Sequence, residues 1–295
     1  MTEDMDIRSF LRSASPATLF RAAGRGRETN DASNKARERF LAGLYHSTTP
    51  ADQDLRALWV DFLRTLCPRP FDDVLVKPKG GRGANHDFVL QFREGTTEVA
   101  SIKAEFKHNA SRIDSLPEYF SPAADKPYLP KLYAEVFYDE YLDRICEVYP
   151  GLTKPERDTY LRLVYNNAYD RHPFFRALYD AEVAGTRDQY NQKRRIVQDS
   201  ITNYLNMYAP ALDLATLSKD MRDRQSGKVF LLWNLSSFLA DTIREEEMDL
   251  THVEGIKGGN TIVVASRAGT KHHMLLRWKN HLGILYPAWQ ISLSR

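Results

Sequence analysis

Residues 100–107 alternate strictly: Ala100, Ile102, Ala104 and Phe106 take one side, while Lys103, Glu105 and Lys107 take the other. Successive strand side chains point to opposite faces, so residues 98–107 are predicted to form a strand with one apolar and one charged face. The apolar face needs a cover, and the segment just upstream offers one. Leu55, Leu58, Trp59, Phe62, Leu63 and Leu66 make a single helical stripe, stopped by Pro68 and Pro70. Between stripe and strand lie two more strand signals, at 73–76 and 87–92, separated by turns at 80–83 and 94–97. The last two strands read as a hairpin, and a further helix is expected at 31–45.

Downstream the pattern turns helical and rich in Tyr and Phe over residues 129–208, with breaks at Pro150-Gly151, Pro173 and Gly185. Strand character returns at 229–233, 261–265, 274–278 and 284–291. The expected organisation is a weakly patterned segment over 1–30, an α/β core over 31–235 with a helical insertion at about 108–185, and a β-rich basic region over 236–295. The 295 residues carry 41 Lys+Arg against 39 Asp+Glu, an ordinary globular balance. Two cysteines, Cys67 and Cys146, exclude a disulfide scaffold and suit a reducing compartment; neither sits in a zinc-type cluster. No apolar run approaches membrane-spanning length, and the acidic N-terminal stretch is unlike a secretory signal. An intracellular protein, cytoplasmic or nuclear and without a membrane partner, is therefore expected.

Strand geometry gathers the chemistry at one place. If strands 87–92 and 98–107 pair, Asp87 at the start of one lies near Glu105 and Lys107 at the end of the other. Two carboxylates of this kind can hold Mg²⁺ or Mn²⁺ while leaving positions for water and phosphate. A metal lowers the pKa of bound water, and a neighbouring ammonium orients water or offsets phosphate charge. The structural alternative is a solvated strand face with local charge pairing.

Asp87 followed by Glu105-x-Lys107 on the next strand resembles the signature of the PD-(D/E)xK, restriction-endonuclease-like nucleases. Glu105 to Lys107 is the chain's one acid-x-Lys triplet. The order helix, three-strand meander, helix, strand fits as well, with the crossover helix placed around 192–205 and the fourth strand at 229–233. The resemblance covers about a third of the chain. It implies a mixed sheet flanked by helices, with the helical insertion and a C-terminal β-rich extension. It also implies Mg²⁺- or Mn²⁺-dependent hydrolysis of DNA, as an endonuclease, with Asp87 and Glu105 on the metal and Lys107 activating water. His86 stands where the signature's name has proline. An auxiliary acid from the first helical region would be Glu38, with Asp61 ranked below it, and a polar crossover residue would be Gln198.

Weaker candidates complete the set. His108 and Asn109 lie at the same strand end, though a strand-end pair turning into a loop accounts for them too. Arg82, in a glycine-rich turn lacking the phosphate-loop pattern, is placed to touch a backbone phosphate. Lys193 and Arg194 form a charge run on the crossover helix. After Glu254 no acid occurs, while Lys257, Arg267, Lys271, Arg277, Lys279 and Arg295 do. That segment is expected to present an uncompensated basic face to phosphates, with Arg277 and Lys279 side by side on one strand face. Trp278 and Trp289 read first as core, and adjacent His272 and His273 point to opposite faces. The partner expected is DNA, with RNA cleavage and an inactive nuclease-like binding module as alternatives. A homodimer is compatible with all of these, and the oligomeric state is left open.

Overall fold

The computed structural model describes residues 27–79, 85–122, 127–164, 173–281 and 283–295. The N-terminal 1–26 segment and the turn holding Arg82 lie outside the described residues. The chain is α/β and divides into two compact units. The first holds the described residues up to Ser115 together with Arg224–Arg244; the second holds Leu116–Asp223 and Glu245–Arg295.

The first unit contains α1 (Arg27–Leu44), α2 (Gln53–Leu66), β1 (Asp73–Pro78), β2 (Phe88–Glu94), β3 (Thr97–His108), β4 (Lys228–Trp233) and β5 (Phe238–Asp241). These strands form one mixed sheet in the order β1-β2-β3-β4-β5. β1, β2 and β3 are an antiparallel meander, β4 runs parallel to β3, and β5 returns antiparallel. The parallel step follows from the long connection before β4, since parallel neighbours need a crossover whereas a tight turn gives an antiparallel pair.

One face of this sheet makes the core. Val74, Val76, Phe88, Leu90, Phe92, Ala104, Phe106, Leu231 and Trp233 are buried with Leu41 and Leu44 of α1 and Trp59, Phe62 and Leu63 of α2. Burying each large side chain contributes roughly 1.5–3 kcal/mol. The rings of Trp59, Phe62 and Phe238 pack at 5.0–5.7 Å between centroids. The α2 stripe therefore does what its spacing predicts, with Leu58 left 41% exposed at the stripe's margin.

In the second unit α3 (Tyr133–Glu140), α4 (Leu142–Val148), α5 (Arg157–Val164), α6 (Pro173–Ala184), α7 (Arg187–Tyr208) and α8 (Leu214–Gln225, whose last two residues belong to the first unit) precede a second sheet. That sheet is the antiparallel meander β6 (Leu250–Lys257), β7 (Thr261–Ser266), β8 (Lys271–His281) and β9 (Ile284–Ser294). The tyrosines act as packing with polar tips: Tyr133 Oη meets Ser200 Oγ at 2.8 Å and accepts from Trp278 Nε1 at 3.1 Å. His272 is buried between Tyr119 Oη, 2.7 Å from Nδ1, and the Glu247 carbonyl, 2.6 Å from Nε2, and its pKa falls to about 4 by burial. His273, on the other face, is half-buried. At the β6–β7 turn Gly259 takes φ +71°, and a Cβ there would stand 2.7 Å from Thr202 Oγ1 on α7.

One expectation needs correcting. The helix over 192–205 is part of α7, in the second unit, and the helix leading into β4 is α8. β5, β6 and α8 escape the sequence pattern. β5 spans four residues, and β6 has two register shifts that break its alternation. Among the described residues no helix is long and apolar enough to cross a membrane.

Candidate active site

The β2–β3 register fixes the site. Phe88 pairs with Ala104, and the Asp87 N–H donates to the Ala104 carbonyl at 2.9 Å, so Asp87 stands across from Glu105. The ladder's next rung passes through a side chain: the Phe106 N–H donates to Asp87 Oδ2 at 2.9 Å. Asp87 thus closes the end of the pairing and is held in one orientation. Its Oδ1 accepts no hydrogen bond among the described residues. Glu105 and Lys107 project from β3 on the same face, with Lys107 Nζ 2.6 Å from Glu105 Oε1. The convergence expected from alternation is present.

A residue that the sequence reading missed completes the cluster. Lys228 opens β4, opposite Lys103 in the parallel register and so on the face of Glu105. Its side chain is 2% exposed, pairs with Glu105 Oε2, donates to the Asn85 carbonyl at 3.0 Å and lies 4.8 Å from the Phe230 ring centroid. The available signal was a lone lysine heading the apolar run Val229 to Trp233, where burial with a counter-charge is the natural outcome. Asn85 is fixed in turn by its Nδ2 donating to the Arg224 carbonyl at 2.8 Å and by the His86 ring at 2.8 Å.

Charge in this cluster is not balanced. Burial raises the Asp87 pKa, helped by the Glu105 charge and opposed by the Phe106 N–H and both lysines. Glu105 goes the other way: burial would raise it, but the ammoniums of Lys107 and Lys228 outweigh burial and lower it. Desolvation lowers the pKa of Lys228 despite its carboxylate partner. Glu38 on α1 joins the same field. Its carboxyl makes no hydrogen bond or ion pair among the described residues, and its pKa rises to about 7 through burial and the Asp87 charge, with Lys35 and Lys107 opposing. Glu38, Asp87 and Glu105 against Lys107 and Lys228 leave one negative charge in excess when all are ionised, and a divalent cation reverses that excess.

The hard oxygens free to hold a cation are Asp87 Oδ1 and the Glu38 carboxyl, whereas each Glu105 oxygen already has a lysine. Among the described residues no three His, Cys, Asp or Glu side chains are gathered as a ready metal site. Mg²⁺ asks for less than that, since it is held by one or two carboxylates and keeps several waters. The donor set fits such an ion, with one lysine of Glu105 yielding if Glu105 joins.

The other candidates separate from this cluster. Alternation puts His108 on the face of Phe106, away from Glu105, and Asn109 occupies an exposed turn at φ +56°, a conformation asparagine tolerates. The pKa of His86 is lowered by burial and by Lys103 and Lys228. Asp61 is exposed and paired with Arg64 at 3.1 Å. Lys193, Arg194 and Gln198 lie on α7 and Arg277 and Lys279 on β8, all in the second unit. Lys193 is buried and paired with Glu182. The C-terminal basic face is a correction: Arg267 pairs with Asp249 at 2.8 Å, Lys271 with Glu254 at 2.8 Å, Lys279 with Glu118 at 3.2 Å and Arg295 with Glu247 at 2.8 Å. Acids from earlier in the chain neutralise these four, and a count along the last segment could not register them.

No protein-family model matches the chain, and no curated protein or solved structure matches it.

Proposed function

We propose that the chain is a metal-dependent nuclease that hydrolyses DNA phosphodiester bonds, acting as an endonuclease of the restriction-endonuclease-like kind. The observation that carries this reading is Asp87 facing Glu105 across β2 and β3, with Lys107 beside Glu105 on the same face. The strand order, with a parallel fourth strand after a three-strand meander, supports it, as does Glu38 arriving from α1, upstream of α2 and the meander.

Asp87 and Glu105, with Glu38 alongside, would hold Mg²⁺ or Mn²⁺, which when bound acidifies water and neutralises phosphate charge. The chain's own groups do the rest. The Phe106 N–H keeps Asp87 aimed, and Lys228, anchored on Asn85, keeps Glu105 extended along the strand face. Lys107 Nζ can exchange its Glu105 partner for a phosphate oxygen, placing positive charge where negative charge grows. Glu38, pushed up to about 7 by burial and the Asp87 charge, would be drawn to its ionised form by a bound cation and so add its charge to the site at neutral pH.

The test is cleavage of supercoiled plasmid with Mg²⁺, with EDTA, and by Asp87→Asn, beside single-stranded RNA as substrate. Mg²⁺-dependent nicking lost in the variant supports the reading, and RNA cleavage without DNA cleavage moves it to a ribonuclease. Because both Glu105 oxygens are held by lysines, a nucleic-acid-binding module without catalysis is the second reading. DNA binding with no cleavage in either metal would establish it.

A further inference from the structure

The second unit carries a separate cleft that the proposed chemistry does not use. It has a volume of about 450 Å³ and lies between α7 and the β6–β7 turn, β8 and β9. The residues lining it include Tyr190, Arg194 and Gln198 of α7 and Arg277, Trp278 and Asn280 of β8. These two segments are about 80 residues apart in sequence, and the fold brings Arg194 and Arg277 to one opening.

The charges are unequal in kind. Lys193 is buried against Glu182 at the cleft, so that pair cancels. Arg194 and Arg277 are exposed and make no ion pair or hydrogen bond among the described residues, which leaves two net positive charges at the rim. Four of the other basic residues of the C-terminal segment are spent on acids. Trp278 is held rigid, its Nε1 on Tyr133 Oη and its ring 4.9 Å from that of Phe137. Asn280 uses Oδ1 to accept the Gly283 N–H at 3.0 Å, which leaves its amide N–H groups for a ligand.

We propose that this cleft binds one nucleotide, its phosphate between Arg194 and Arg277 and its base against Tyr190 and Trp278 with Gln198 and Asn280 reading the edge. Guanidinium groups match phosphate in charge and fork geometry, and an immobilised ring gives a stacking surface of about 1–3 kcal/mol per base. The volume lies within the range of small-ligand sites. The same chemistry is offered by a nucleotide of a single strand or by a free nucleotide. The proposal rests on the cleft alone and does not depend on hydrolysis by the first unit.

The experiment is fluorescence anisotropy of a labelled dT12 single strand on the full-length protein in EDTA, with dTMP and dAMP as competitors. Wild type and Arg267→Gln should bind alike, because Arg267 is an exposed cation that does not line the cleft. Arg194→Gln/Arg277→Gln should lose at least about tenfold in affinity and flatten the log–log salt slope by about 1.4 units, two phosphate contacts at about 0.7 each. Its circular dichroism should be unchanged, since both side chains are exposed and neither has a hydrogen-bond or ion-pair partner among the described residues. Binding of dT12 that both mononucleotides displace supports a nucleotide of a strand, and binding of the mononucleotides alone supports the free form. A double variant that binds like wild type, or a wild type that binds neither ligand, overturns the proposal. Should the double variant lose its fold, Gln198→Ala/Asn280→Ala supplies the second reading, with weakened binding expected and unchanged binding overturning it.

Discussion

The two units use charge in opposite ways. In the second, most cations of the C-terminal segment are paired off one by one, exposed examples being Arg267 with Asp249 and Lys271 with Glu254, and the geometry is that of ordinary surface neutralisation. In the first, three carboxylates and two lysines are drawn together where solvent is scarce, and the acids are pulled apart in character: Glu105 held ionised, Asp87 and Glu38 pushed toward protonation. Paired exposed charges stabilise by 1 kcal/mol or less, about, and explain themselves. Crowded, unequal carboxyls cost stability, and such arrangements cluster at functional sites.

The contrast can be broken most directly at Asp87. Asp87→Asn keeps an acceptor for the Phe106 N–H but removes a charge that burial disfavours, so cleavage should fall on the order of 10³-fold or more with a melting temperature no lower than that of wild type. Plasmid nicking beside thermal unfolding reads both, and wild-type nicking would place the first unit's charges in the same category as those of the second. Next in size is Lys107→Ala, expected to slow single-turnover cleavage on the order of 10²-fold while DNA affinity in Ca²⁺ changes little. An equal loss of both would make Lys107 a binding contact only.

Stability separates the units too. Glu105→Ala strands the buried Lys228 ammonium and should destabilise by about 3–5 kcal/mol, whereas adding Lys228→Met should restore most of that loss. Lys271→Ala in the second unit, which breaks the more exposed pair with Glu254, should cost about 1 kcal/mol or less by the same denaturant titration. If the two single variants cost the same, the buried pair at Glu105 has no special standing.

The pH dependence is the finest probe. Burial pushes the Glu38 carboxyl up to about 7 from its ordinary 4.5, so the stability it contributes is complete below about pH 4 and is lost as pH rises through 7. Glu38→Gln should therefore raise the melting temperature relative to wild type by a few degrees at pH 8 and by less at pH 5. Mg²⁺ should shrink the pH 8 difference by stabilising the ionised wild type. A difference independent of both pH and Mg²⁺ would remove Glu38 from the charged cluster.

Much of the first unit was legible because its periodicities are local. Alternation in 100–107 placed Glu105 and Lys107 on one face, and the α2 stripe announced its own burial. Asp87 could be placed opposite Glu105 because a four-residue turn leaves little freedom of register. What stayed hidden was non-local. Lys228 reaches Glu105 from 123 positions away, and its own segment shows only a lysine before an apolar run. The same blindness produced the expectation of a bare basic C-terminus, since Glu118, Glu247, Asp249 and Glu254 lie outside the stretch whose charge was counted. Arg194 and Arg277 were each singled out, but their shared cleft exists only once α7 and β8 are folded.

The parallel pairing of β3 with β4 has a consequence in time. During synthesis the chain can complete α2, the meander and the Asp87–Glu105 juxtaposition more than a hundred residues before Lys228 is made. Until then Glu105 has a single ammonium beside it and β3 an open edge, the kind of exposed ladder that recruits other strands. Closing so long a loop is slow compared with forming a hairpin. The carboxylates would then come under full control only when the chain is nearly finished, so that a truncated product carries the acids without the lysine that holds them.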